Sequence, residues 1–278
     1  MRDVSFGQYY PAPSPLHRLD PRTKLLATII YIVTLFFINT FTGFGIMAVF
    51  LLVVVLISRV PFGKVLRSVK AVLFLLVFTL IISFFFYRGA PENLIWEWGV
   101  IHMYWDGLWN SLKLCIRLLL LVMGPALLTL TTTPVELTDG LESLLKPLAL
   151  IRLPVHELAI IMSIALRLIP TLMEETDKII SAQKARCAEF ESGNIFKRAK
   201  AMLPVLIPLF VSSFRRADDL ADAMDSRCYR GAKGRTRMKV LKMRVGDWLS
   251  LLFMAALLTA MLFLRYNYFD WAFIALLR

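Results

Sequence analysis

Long apolar runs separated by short charged connections set the pattern of this chain. Spanning a bilayer takes roughly 20 predominantly apolar residues, and five runs approach that length, at 25–38, 44–57, 71–87, 108–131 and 248–264. The first two are short and read as tilted spans joined by a tight turn over 39–45. Between the fourth and fifth runs the pattern breaks, and 132–247 is a polar insert with apolar stretches inside it. The insert opens with Thr133-Pro134-Val135-Glu136, a capping box with proline at the first helical position, so a helix starts there. At the other end of the membrane set, Asp20 before Pro21 is a good N-cap and first-turn pair for the first span. The fold class expected is all-α, a polytopic membrane protein with about five transmembrane helices and a large α-helical domain between the fourth and fifth. Its parts are a leader at 1–24, helices one to four at 25–131, the helical domain at 132–247, and the last helix with the C-terminus at 248–278.

Two apolar stretches in the insert, 148–170 and 201–214, need a separate reading. The first is long enough to span, but Arg152, Pro154, His156, Glu157 and Arg167 interrupt it. A charge at the bilayer centre costs about 2.5–3.5 kcal/mol on insertion scales. Amphipathic helices packed at the interface are therefore preferred, with a re-entrant or partly buried segment left open. The second stretch contains Pro204 and Pro208 and is too short to cross.

Composition agrees with the pattern. The chain is 58% hydrophobic with mean hydropathy +0.66, above the roughly 45–50% of soluble domains. A net charge of +12 fits the basic cytoplasmic loops of a membrane protein, and nucleic acid is not expected as a partner. The loop over 59–70 carries Arg59, Lys64, Arg67 and Lys70 with no acid. The next connection reverses sign, with Arg88 against Glu92, Glu97 and Asp106, and gathers Trp96, Trp98, Tyr104, Trp105 and Trp109 as an interfacial aromatic belt. Lys and Arg accumulate on the cytoplasmic side, so the leader, the 59–70 loop and the insert are assigned inside and the tryptophan-rich loop outside. No cleavable signal peptide is evident, because the first apolar run follows a polar, proline-punctuated leader. Cys115, Cys187 and Cys228 are too scattered for a disulfide framework or a metal site and read as reduced thiols.

The insert repeats itself. An offset of 41 positions pairs Arg186 with Arg227, Asp177 with Asp218, Ile179 with Leu220, Ala182 with Ala223, Ala185 with Ser226, Cys187 with Cys228 and Gly193 with Gly234. In both copies the arginine follows a branched apolar residue by seven positions and an alanine by four, so it continues one helical stripe to its end. A planar, permanently charged donor at such a tip, flanked by small side chains, suits a carboxylate-lined groove on a partner. The same spacing is met by ordinary C-terminal cations favoured by the helix dipole.

Ser-Pro-Leu-His-Arg-Leu-Asp-Pro-Arg-Thr-Lys at 14–24, Thr-Thr-Thr-Pro-Val-Glu-Leu-Thr-Asp-Gly-Leu-Glu at 131–142, Ala182-Gln183-Lys184-Ala185-Arg186, and Arg215-Arg216-Ala217-Asp218-Asp219-Leu220-Ala221 through Ser226-Arg227 carry a resemblance. The chain resembles the transmembrane T component of energy-coupling factor vitamin transporters over nearly its whole length. That resemblance implies a cell-membrane scaffold of a prokaryote, with the N-terminus and the 132–247 coupling domain cytoplasmic. It implies two coupling helices, each ending in an X-Arg-X motif docked on one of two ABC-type ATPases, and a separate substrate-binding S component in the bilayer. ATP and Mg would be bound by the ATPases, with no cofactor on this chain. The docking residues implied are Ala185, Arg186, Cys187, Ser226, Arg227 and Cys228. The family's usual tripeptide is Ala-Arg-Gly; cysteine replaces glycine in both copies here, which puts the exit geometry in question because cysteine lacks glycine's freedom at positive φ. Gly231 could supply the turn a little later.

The remaining chemistry is sparse. Lys113 and Arg117, one turn apart near the outer end of the fourth span, read as snorkelling cations. His17, His102 and His156 lie in separate segments, so a metal site is not expected. Asp218, Asp219, Asp222 and Asp225 read as a solvated face paired locally with Arg215 and Arg216. No phosphate-cradling glycine–lysine loop occurs, so the chain is not expected to hydrolyse ATP. Two competing classes remain. A conventional ABC permease would form the translocation path itself, against which stand few spans and no polar cavity. An intramembrane enzyme would require clustered Ser/His, paired Asp or a His-rich set within the spans, and the spans offer none.

Overall fold

The computed structural model describes residues 9–86, 94–98, 101–147, 154–188, 190, 194–231 and 241–266. Arg88, Glu92, Arg152, Gly193 and Gly234, and the 148–153 start of the first insert stretch, lie outside the described residues. Eight helices are described: α1 Pro21–Phe37, α2 Phe41–Ser58, α3 Phe62–Phe86, α4 Trp105–Thr131, α5 Pro134–Leu145, α6 Val155–Ala185, α7 Ile195–Ser226 and α8 Val245–Tyr266. The described residues divide into two compact units, one within 7–143 and 241–266, the other within 144–231.

In the first unit, α4 packs against α1, α2 and α3, and α1 packs against α8. α2 shows how the sequence makes this. Its buried residues Phe44, Met47, Leu51 and Val55 recur at helical spacing along one face, while Val49, Leu52 and Leu56 on the other faces are apolar and exposed. A helix that is apolar all round and only partly covered by protein is what a bilayer accommodates. α2, α4, α6 and α8 are long and apolar enough to cross a membrane, and α3 makes a fifth if its two segments, bent by 56°, form one span. The set differs from the five sequence runs at two places. α1 has only 17 residues, roughly 25 Å of helix, and α6 meets the length and composition of a span despite Glu157 and Arg167.

A short antiparallel hairpin is added to the helical fold. β1 (Leu94–Trp98) pairs with β2 (Ile101–Tyr104), Leu94 opposite Tyr104 and Trp98 opposite Ile101. The sequence suggested only a loop here, but aromatic and β-branched residues favour an extended pleat.

One end of this unit is held by a buried polar network that explains the 14–24 motif. Asp20 caps α1 by accepting from Arg22 N at 3.0 Å. Its own N–H donates to Asp247 Oδ1 at 2.8 Å, and Arg244 N donates to Asp247 Oδ2 at 2.7 Å. One buried carboxylate thus serves the first turns of both α1 and α8, where helix dipoles favour negative charge, and brings the two N-termini to the same end. Lys24 Nζ donates to His17 O at 3.2 Å and to Thr131 O at 3.0 Å, so α4 ends where α1 begins. Tyr10 N donates to Leu130 O at 2.9 Å, and Lys64 Nζ lies 4.2 Å from the Tyr10 ring centroid, which adds the start of α3. The capping box at α5 forms with both bonds, Glu136 N to Thr133 Oγ1 at 3.3 Å and Thr133 N to Glu136 Oε2 at 3.4 Å.

Near the other end, Arg117 does not simply snorkel. Its Nη2 donates to Ile38 O at 2.6 Å and to Asn39 Oδ1 at 2.8 Å, closing the end of α1 and the turn into α2. Lys113 sits 5.1 Å from the Phe41 ring centroid. In the middle of the bundle, Tyr31 donates its hydroxyl to Leu120 O at 2.9 Å. A Cβ placed on Gly124 would lie 2.4 Å from the Tyr31 ring, so only glycine admits that ring against α4.

Candidate functional site

The second unit is built on α6 and α7, which carry the repeated arginines. α7 runs unbroken through Pro204 and Pro208, where the sequence suggested a short apolar stretch. Pro208 has no N–H to give to the carbonyl of Pro204, a bond a regular helix would make. Gln183 of α6 supplies a donor, Nε2 to Pro204 O at 3.4 Å.

A second tie fixes the two helices. Arg216 Nη2 lies 3.0 Å from Glu175 Oε2, and Ser212 donates its hydroxyl to Glu175 Oε1. Arg216, expected to pair with the aspartates along its own helix, instead finds its partner on the neighbouring one. From Gln183 back to Glu175 on α6, the partner moves forward from Pro204 to Arg216 on α7, so the helices pass in opposite senses. Glu175 and Arg216 are separated by 41 positions, the same offset that relates Arg186 to Arg227. Each arginine thus lies equally far beyond the brace, roughly 16 Å of helix at 1.5 Å per residue. The two motifs are not brought together. They stand at opposed ends of one braced pair.

Both tips have the same geometry. α6 ends at Ala185 with Arg186 as C-cap, and α7 ends at Ser226 with Arg227 as C-cap. Cys187 and Cys228 follow with φ of 63° and 55°, in the left-handed region. At the first tip Cys187 N donates to Lys184 O and Ala188 N to Gln183 O, each at 3.0 Å; at the second, Cys228 N donates to Asp225 O at 2.9 Å and Tyr229 N to Met224 O at 3.0 Å. This bond pair is the one that closes a helix through a left-handed residue, usually glycine. The turn is made at the cysteines themselves, and Gly231, also at positive φ, follows it. Ala185, Arg186, Cys187, Ser226, Arg227 and Cys228 are all exposed. The reversal directly after each arginine carries the chain away, so the guanidinium is left at the helix tip as a charged fork suited to a carboxylate partner.

Sequence reasoning missed the brace. Applying the offset of 41 to Glu175 gives Arg216, opposite charges at equivalent positions, which is the signature of two similar helices crossing at their shared point. It also missed Asp247 and Lys24, whose partners come from other elements.

Comparison with known proteins adds an independent line. The family model described as a cobalt transport protein, CbiQ, matches residues 12–239. The chain is 48% identical over 269 residues to the energy-coupling factor transporter transmembrane protein EcfT of Ruminiclostridium cellulolyticum, covering 97% of this chain and 100% of that one. It is 49% identical over 250 residues to the protein so named in Clostridium kluyveri, covering 90% and 92%. The one in Listeria innocua is 44% identical over 265 residues, covering 95% and 99%.

Proposed function

The chain belongs to the energy-coupling factor transmembrane-protein family, as a multi-pass transmembrane component of a transporter, and from that premise we propose that it is the non-catalytic coupling scaffold. Two ABC-type ATPases, which bind ATP and Mg, dock on Arg186 and Arg227. A substrate-binding S component in the membrane captures a vitamin or other micronutrient and takes the motion from this chain. The leader and the coupling domain at 132–247 are cytoplasmic, in keeping with the basic character of the leader and of the 59–70 loop.

The observation that carries this reading is the pair of identically capped arginine tips at equal distance from one brace. Two like tips on opposed arms match two like partners related by a twofold axis. Closure of such partners on ATP moves the tips in opposite senses, and a pair pinned at Glu175–Arg216 converts that into a change of crossing angle. The exposed apolar side chains of Leu203, Ile207, Phe210 and Phe214 on α7 offer an adaptable surface to which the change is passed. Arg186→Glu with Arg227→Glu is expected to abolish both ATPase co-purification and uptake; unchanged uptake would overturn the assignment. A conventional permease is the competing reading, and reconstitution with the ATPases alone separates them, since transport without a further membrane subunit would favour it.

A further inference from the structure

A cleft of about 390 Å³ opens between α1, α2, α4 and α8, wholly within the first unit. Its walls include Tyr31, Leu51, Val54, Leu127 and Met254. Its rim includes Val53, Ile57, Leu249 and Phe253, which are exposed on α2 and α8. Both helices are long and apolar enough to cross a membrane, so the cleft opens sideways through a surface of lipid-facing character.

The polar groups of the lining can be accounted for one by one. Thr28, Thr131 and Ser250 donate their hydroxyls to Lys24 O, Leu127 O and Asp247 O, and Tyr31 donates to Leu120 O. Two donors are left over, adjacent on α1. Thr23 is fully buried and its hydroxyl has no partner. The Lys24 ammonium has three N–H groups and gives two of them to the carbonyls of His17 and Thr131. A buried donor without an acceptor costs about 1–3 kcal/mol, a cost that an oxygen acceptor placed at the α1 N-terminus would relieve. Glu136, Asp247 and Asp20 already act electrostatically on Lys24, so an uncharged carbonyl suits the place better than a further anion.

We propose that the cleft holds one acyl chain of a bilayer glycerolipid, its ester carbonyl at Thr23 and Lys24 and its tail running along α1 towards Tyr31. The distance from Thr23 to Tyr31 is roughly 12 Å of helix at 1.5 Å per residue, and beyond the polar end the lining is apolar. A partner helix, about 10–12 Å across, would fit only about one turn into this volume. The lipid would then wedge α8 against α1 beside the Asp247 junction.

The test uses the full chain purified with its co-purifying subunits. Native mass spectrometry after detergent exchange is expected to retain one glycerolipid per copy. Thr23→Val keeps the shape and removes the donor, and should lower that occupancy roughly fivefold, the scale of one net hydrogen bond. Ala27→Phe fills the cleft and should abolish it with the complex still assembled. In phosphatidylcholine vesicles carrying a diazirine-tailed phosphatidylcholine, the label should concentrate on 23–31, 124–131 and 249–254. Equal labelling of the outer face of α3 around Phe74, occupancy unchanged in both variants, or displacement of the label by a partner helix crosslinked at Val53 would each overturn the proposal.

Discussion

Cysteine stands at a left-handed position twice, at Cys187 and Cys228. The left-handed conformation costs an L-residue roughly 1–2 kcal/mol, partly offset because glycine loses about 0.5–1 kcal/mol more on ordering. Cys187→Gly or Cys228→Gly should therefore stabilise its helix end by about 0.5–1 kcal/mol, seen as slower amide exchange in the last turn. Cys187→Val, branched at Cβ, should loosen the same turn. The exit geometry that the sequence left in question is the same at both tips, a left-handed turn made at the cysteine itself. His17 is the other residue with a marked state. Its Nε2 faces the carbonyl of Tyr10 at 2.9 Å and its Nδ1 faces the Ser14 hydroxyl at 2.6 Å, which fits a neutral ring with the proton on Nε2. Burial holds its pKa below the ordinary 6.5. A basic group so lowered contributes stability that is present above 6.5 and lost as pH falls through the lower folded value. Leader protection in hydrogen exchange should fall on acidification from about pH 7.5 to 5.5, and His17→Gln should remove that dependence.

Among the elements, α6 and α7 depend on ties that no local window shows. The prolines of α7 would unsettle an isolated helix, but Gln183 serves the carbonyl left open by Pro208. Glu175→Ala should weaken the pair by about 1 kcal/mol, since the ion pair is partly exposed. The swap of Glu175→Arg with Arg216→Glu should recover most of that loss in thermal unfolding, whereas a purely local role for Arg216 along α7 would leave the swap no better than Glu175→Ala. Elements dominated by local rules were legible. The Asp20 cap, the capping box at Thr133 and the apolar periods placed the starts of α1 and α5 and the bodies of α4 and α8 within a few residues. The hairpin was not, because aromatic belt residues and strand residues are the same residue types.

At the scale of the molecule, the first unit is organised by close approach and by one carboxylate. Gly124→Ala should overpack the Tyr31 contact and cost about 1–3 kcal/mol, measured as a drop in melting temperature. Asp247→Asn would halve what serves the first turns of α1 and α8 and should free the α8 N-terminus to exchange. The signs of the loops assigned the leader, the 59–70 loop and the insert to one side of the membrane, and Asp20, Lys24, Thr131 and Asp247 join the start of α1 to the end of α4 and the start of α8. What loop charge could not supply was the junction itself, because its bonds join residues more than a hundred positions apart. The equal arms about Glu175–Arg216 lead to the central claim, that each arginine tip holds one ATPase. Native mass spectrometry of the purified complex, comparing the two single charge reversals, tests it most directly. Arg186→Glu and Arg227→Glu should each yield complexes retaining one ATPase where the unaltered chain retains two. If both single variants still carry two ATPases, or if one variant loses both and the other none, the two-tip account is contradicted.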